Sequence, residues 1–257
     1  MLSSATVLAI STSSALGFFL LNALLRLSPP PMRHVVVSKQ HKWRNEVGSL
    51  VHSVIVGLGS LYCLTLSLLS EEDDNSYFTD IEIFGALSVG YTIYDTVDLL
   101  QNQSIWKVLG LCIHHIAVCG CFILCYQTGR FYHLCIFAMM VDCSSIFLHL
   151  RMLLIMHGFD KDHPIRTINT FTNVVSFAVF RLVIIVYILV NVLFEPELPG
   201  IIRIALSLLI SSLLVINLVL FKRLIVSDLT SKKTQLPSSQ SAPPSSFNND
   251  VDILDTS

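Results

Sequence analysis

Charge is scarce in this chain. Asp, Glu, Lys and Arg make up 13% of its 257 residues, against roughly a quarter in soluble domains, while 53% of residues are hydrophobic and mean hydropathy is +0.68. That excludes an ordinary soluble domain and leaves an integral membrane protein. There is no basic patch, so no nucleic-acid partner is expected. There is no HxxxH or HxxHH run and no zinc or EF-hand motif, so no metal is expected. The 7 cysteines lie almost entirely within apolar runs, where they act as small apolar residues, and no disulfide framework is expected.

What the chain does have is long apolar runs. Crossing a bilayer takes about 17 to 25 predominantly apolar residues, and seven stretches qualify, near 7–27, 47–69, 81–100, 108–126, 131–156, 171–194 and 201–221. The expected fold is all-α and polytopic. No Lys or Arg precedes the first run, whereas a cleaved signal peptide needs a basic start. It therefore reads as an uncleaved helix with its N-terminus outside.

Alternation from that start puts the basic residues on one side: Arg26, Arg33, Lys39, Lys42 and Arg44, then Lys107, Arg151, Lys161 and Arg166, then Lys222, Arg223, Lys232 and Lys233. The other side carries Arg130, Arg203 and the acidic run from Glu71 to Asp80. By the positive-inside rule the first side, with the C-terminus, is cytoplasmic. Asn102-Gln103-Ser104 matches a glycosylation acceptor but falls on that side and is expected unmodified. Pro29, Pro30 and Pro31 separate the first helix, read as an appendage, from a six-helix unit. The Ser- and Pro-rich stretch from about Asp228 reads as a disordered tail.

Several ionisable residues interrupt the apolar runs. Such groups are costly at membrane depth unless paired, and they usually face a bundle interior. Tyr91, Asp95 and Asp98 share one helical face, as do Asp142, Ser145 and His149. His114 and His115 point about 100° apart, so only one of them can face a cavity squarely. His52 and Arg181 fall in the same half of the bilayer. The expectation is a polar interior open to the cytoplasmic side. The bland alternative for Asp95 and Asp98 is a structural ion pair with Arg181 or a hydrogen bond to a histidine. An Asp beside a His can fix its tautomer and raise its basicity, and such a His can take a proton or accept an acyl group.

The order of these residues is recognisable. A His in the second helix (SLVHSVIVGL, His52), the segment Gly90, Tyr91, Tyr94, Asp95, Asp98, the pair in LCIHHIAV and Asp142 resemble the TLC domain family, from about Lys42 to Arg223. HKWRNEVGSLVHS, SVGYTIYDTVDLL and SSIFLHLRMLL are similar to the subgroup of TLC domain-containing proteins 1 and 2. The resemblance implies an N-terminal transmembrane helix and basic linker over 1–41, a six-helix TLC-type bundle over 42–223 and a cytoplasmic tail over 224–257. It also implies a multi-pass plasma-membrane protein that restrains membrane fluidity by limiting incorporation of long polyunsaturated acyl chains into phospholipids.

On the same resemblance the partners are membrane phospholipids or fatty acyl chains. The alternative is a ceramide-synthase-like acyltransferase acting on an amine-bearing lipid, with His114 and His115 as acyl acceptor or base and Asp95 and Asp98 as orienting groups. His52, Tyr91, Asp142, His149 and Arg181 would line the substrate. No cofactor is implied, although acyl-CoA would be a co-substrate of the acyltransferase. The stretch after the HH pair, AVCGCFILCYQTGR, has no carboxylate where synthases carry further aspartates, which counts against ceramide synthesis itself.

Overall fold

The computed structural model describes residues 1–27, 37–70 and 77–229. The proline break, the acidic run from Glu71 to Ser76 and the tail beyond residue 229 lie outside them. The described residues form seven helices: α1 Ser4–Leu27, α2 Val37–Leu69, α3 Tyr77–Asn102, α4 Ile105–Thr128, α5 Tyr132–Met156, α6 Pro164–Phe194 and α7 Gly200–Leu229. Each of the seven expected spans falls on one helix, and the structure is that of a multi-pass helical membrane protein. Large apolar side chains such as Leu20, Leu58, Ile116, Phe171, Ile201 and Leu208 are exposed, as lipid-facing residues must be.

The helices are longer than the apolar runs that announced them, and the extensions have local causes. Helix α6 starts at Pro164, not near 171, because His163 accepts from the Ile165 N–H and proline suits the first helical position. Helix α2 has 33 residues, about 50 Å at 1.5 Å per residue, well beyond a hydrocarbon core of about 30 Å. Its first turns, polar and missed by an apolar window, therefore reach the rim of the bundle.

Short connections make successive helices antiparallel. Only Gln103 and Ser104 join α3 to α4, and Gly129 to Phe131 join α4 to α5. Gly129 (φ 65°) lies in the left-handed region and its N–H caps α4 on the Cys125 carbonyl.

Helices α2, α3 and α5 form the centre, with α2 packed most extensively on α5. Gly57 lets the α5 backbone at Cys143 approach α2, where Cys143 Sγ bonds the Gly57 carbonyl at 3.3 Å. Gly90 does the same for α1, since a side chain there would strike the Ser11 carbonyl. Ser14 Oγ donates to the Leu87 carbonyl at 2.8 Å beside it. The first helix is thus not a loose appendage but lies along α3. The apolar core (Val56, Ile81, Ala86, Phe122, Ile136, Met139 and Ile184 among others) fills the half of the bundle remote from the basic rim. The other half is polar. All 7 cysteines are free.

Candidate functional site: a buried Asp and His network

The network begins on two helix faces. Helix α3 presents Tyr91, Tyr94, Asp95, Asp98 and Asn102, and α2 presents His41, Asn45, Ser49 and His52, spaced four, four and three so that they share a face. Asp95 and Asp98 are both buried, yet their partners differ. Asp98 takes His41 Nε2 at 2.8 Å, Asn22 Nδ2 at 3.2 Å, and Asn45 Nδ2 and Asn102 Nδ2 at 3.5 Å each. It ties α1, α2 and α3 together. Asn102 also donates to the Asp98 carbonyl at 2.7 Å.

Asp95 is held by Asn45 Nδ2 at 2.7 Å and faces His115 Nε2 at 3.4 Å. His115 meets Thr96 Oγ1 through Nδ1 at 2.6 Å. Thr96 spends its hydroxyl hydrogen on the Thr92 carbonyl at 2.7 Å, so it accepts from His115, and the tautomer with hydrogen on Nδ1 is set. Nε2 is left facing Asp95, where a proton taken up would be stabilised by the carboxylate. Thr96 therefore orients the imidazole and Asp95 supplies the counter-charge.

A second wall completes the enclosure. Tyr91 stacks on His52 with ring centroids 3.9 Å apart and donates to Ser49 Oγ at 2.8 Å. His52 Nε2 is buried without a hydrogen-bond partner. On α5, His149 Nδ1 pairs with Glu46 at 2.8 Å. Arg181 lies in a π-helical segment of α6, Ala178–Val183, a distortion often found at working sites. Its guanidinium donates to Ser144 Oγ at 3.1 Å, Ser145 Oγ at 2.5 Å and Asn217 Oδ1 at 3.3 Å, and sits over the Phe177 ring at 5.0 Å.

The two walls meet. His52 is within electrostatic range of His114, His115 and His149, Tyr91 of Asp95 and Asp142, and His114 of His115 and Arg181. Direct contacts or shared partners join His52 to Tyr91, Asp95 to Asp98, and His114 and His115 to Asp95, while His149 binds Glu46 on α2 and Arg181 binds Ser144 and Ser145 on α5. They are not equivalent. Among the described residues, only His115 of the HH pair touches a carboxylate, only Asp95 of the aspartate pair touches that histidine, and His114 makes no hydrogen bond. Of the bland alternative, the Asp95 or Asp98 ion pair with Arg181 does not form among the described residues, but the contact with a histidine does, at 2.8 Å for Asp98 and His41 and 3.4 Å for Asp95 and His115.

Asn22, His41, Asn45 and Glu46 were not singled out from the sequence. His41 closed the basic linker and Asn45 lay ahead of the apolar run near 47–69, but their spacing with Ser49 and His52 was a usable signal. Asn22 had none. Among the described residues no three His, Cys, Asp or Glu side chains are grouped so as to hold a metal ion. Two surface grooves lie elsewhere. One, of about 430 Å³, is lined by Leu124, Arg130, Phe131, Glu197 and Leu198 at the far end, and the other, of about 350 Å³, by Phe147, Phe171, Val175 and Phe180 on the α5 and α6 face.

A bundle of membrane-crossing helices that gathers its ionisable side chains between α2, α3, α4, α5 and α6 is a polytopic protein with an intramembrane polar site. The family is shown by sequence: the TLC domain profile matches residues 42–226, and the chain belongs to the TLC domain family. It is 30% identical over 223 residues to TLC domain-containing protein 2 of Danio rerio, covering 85% of this chain and 89% of that one. It is 34% identical over 181 residues to TLC domain-containing protein 1 of Gallus gallus (68% and 70%) and 28% over 165 residues to the Homo sapiens protein 1 (62% and 65%). No solved structure matches the chain.

Proposed function

We propose that this protein acts in the plasma membrane, with its C-terminus cytoplasmic, to tune phospholipid acyl composition by limiting incorporation of long polyunsaturated chains. The observation that carries the reading is the Asp95 and His115 pair, 3.4 Å apart and buried between lipid-facing helices. Charges kept at that depth are costly, and the molecules at hand there are lipids. Similarity to TLC domain-containing proteins 1 and 2 supports the same reading. The test is the phospholipid acyl profile of cells lacking the protein, which should shift toward long polyunsaturated chains and return when the wild-type chain is restored. An unchanged profile would reject it.

A second reading, an acyltransferase, is favoured by one feature. Thr96 fixes the His115 tautomer and Asp95 stands ready to balance an imidazolium, the arrangement a general base needs. His114, free of hydrogen bonds and near His115, is the second nitrogen nucleophile available there. Acyl-CoA would be the donor and an amine-bearing lipid the acceptor. Cells carrying His114→Ala with His115→Ala at normal abundance separate the two readings. Restoration by the double variant leaves a binding role, and failure supports catalysis.

A further inference from the structure

At the rim where α1 ends and α2 begins, two arginines share one acceptor. Arg26 Nε donates to Asn22 Oδ1 at 3.3 Å, and Arg44 Nε donates to the same oxygen at 3.2 Å. Two guanidiniums bound to a single atom lie side by side, and Arg44 feels the charge of Arg26 and, less strongly, that of Asp98. Neither pairs with a carboxylate among the described residues. Both bonds use Nε, and among the described residues the Nη donors of both forks make no hydrogen bond.

Asn22 is not free to turn away. It is buried, and its Nδ2 donates to Tyr94 Oη at 2.7 Å and to Asp98 at 3.2 Å. Flipping the amide would set its oxygen against the Asp98 carboxylate and its NH₂ against two cations. The acidic interior thereby fixes which way the oxygen faces, and the oxygen fixes the arginines. Arg26 is exposed and Arg44 only partly buried, so their remaining donors are open to an anion, and paired Arg forks match the oxygens of a phosphate. Leu20, Leu24 and Leu27 beside them on α1 are exposed and lipid-facing, which places the forks where a bilayer presents its phosphates.

We propose that Arg26 and Arg44 form a clamp for the phosphate of a phospholipid headgroup, with Asn22 as the positioning residue that joins the clamp to Asp98. The clamp names the ligand class of the lipid reading above but does not require that His115 react. A lipid profile unmoved by deletion would sink that reading and leave the clamp standing, whereas loss of the clamp leaves the acyl profile to be judged separately.

The test uses the full chain purified in an uncharged detergent, with dioctanoyl phosphatidic acid, dioctanoylglycerol and inorganic phosphate as probes. Wild type should bind the phosphatidic acid at least about tenfold more tightly than dioctanoylglycerol, the least expected for charge-assisted hydrogen bonds. Arg26→Gln with Arg44→Gln should erase that preference, and Lys42→Gln, a cation of the same helix outside the clamp, should keep it. Arg26→Lys with Arg44→Lys retains the charge and lacks the forks. It should lose most of the preference, and it decides the matter if the glutamine variant fails to fold by circular dichroism and gel filtration. Equal binding of the two lipids, or a full preference in either double variant, would overturn the clamp. Inorganic phosphate competing as well as the phosphatidic acid would overturn the lipid as its source.

Discussion

The two ends of α3 each bury a carboxylate, and they do so differently. Near its start, Glu82 is fully buried, accepting from Tyr132 Oη at 2.6 Å and from the Leu2 backbone N–H. Tyr126 Oη donates to the Leu2 carbonyl at 3.2 Å beside it. Every partner is a fixed, neutral donor, so the arrangement is a staple that holds α1 and α5 to α3. Near the end of the helix, Asp95 and Asp98 face the imidazoles of His115 and His41. One end meets its carboxylate with a hydroxyl and a backbone N–H; the other meets its carboxylates with histidine side chains, the groups used for acid-base chemistry. The partners of a buried acid, more than its burial, mark the site.

The largest expected effect follows from that contrast. His115→Ala should abolish restoration of the phospholipid acyl profile, a loss of at least about a hundredfold if the imidazole acts as general base, while the purified protein unfolds near the wild-type temperature. Glu82→Ala should do the reverse. It strands two buried donors and should cost about 3 kcal/mol in thermal unfolding, with function per folded molecule kept. Equal functional loss in both variants at matched abundance would erase the distinction between the two ends.

Smaller effects sharpen it. Gly90→Val should push α1 away from α3 and cost about 2 kcal/mol, read as faster proteolysis of the first helix. Asp98→Asn, which leaves His41 and Asn22 facing an amide, should cost about 2 kcal/mol of stability. Asp95→Asn should chiefly lower function, by about tenfold, because the carboxylate opposite His115 is lost. The comparison of these two asparagine variants, in the acyl-profile and unfolding assays, tests whether neighbouring aspartates have separate roles. The smallest change is Asn217→Leu, which removes one of three acceptors from Arg181 and should cost about 1 kcal/mol.

The fold was legible because lipid makes a simple demand: backbone groups must be bonded internally, so an apolar run of sufficient length becomes a helix. Tyr91, Asp95, Asp98, His114 and His115 were legible as candidates because polar residues stand out against such runs. The helix ends were less so. His41 and Asn45 lie where α2 outruns its apolar stretch, and a hydropathy window passes over them. The π segment around Arg181 was not visible at all, since its apolar residues read as an ordinary helix.

The amino-acid sequence by itself determined that several helices are long and apolar enough to cross a membrane, their order, and which of them carry ionisable groups, because these follow from periodicity and solvent transfer along the chain. Only the tertiary structure decided that Asp95 serves His115 while Asp98 serves His41, and that Asn22 from the first helix stands between an acidic interior and two arginines. Those pairings depend on distances between helices far apart in the chain. They are set by close approach at glycines such as Gly57 and Gly90, and local sequence carries no measure of that approach.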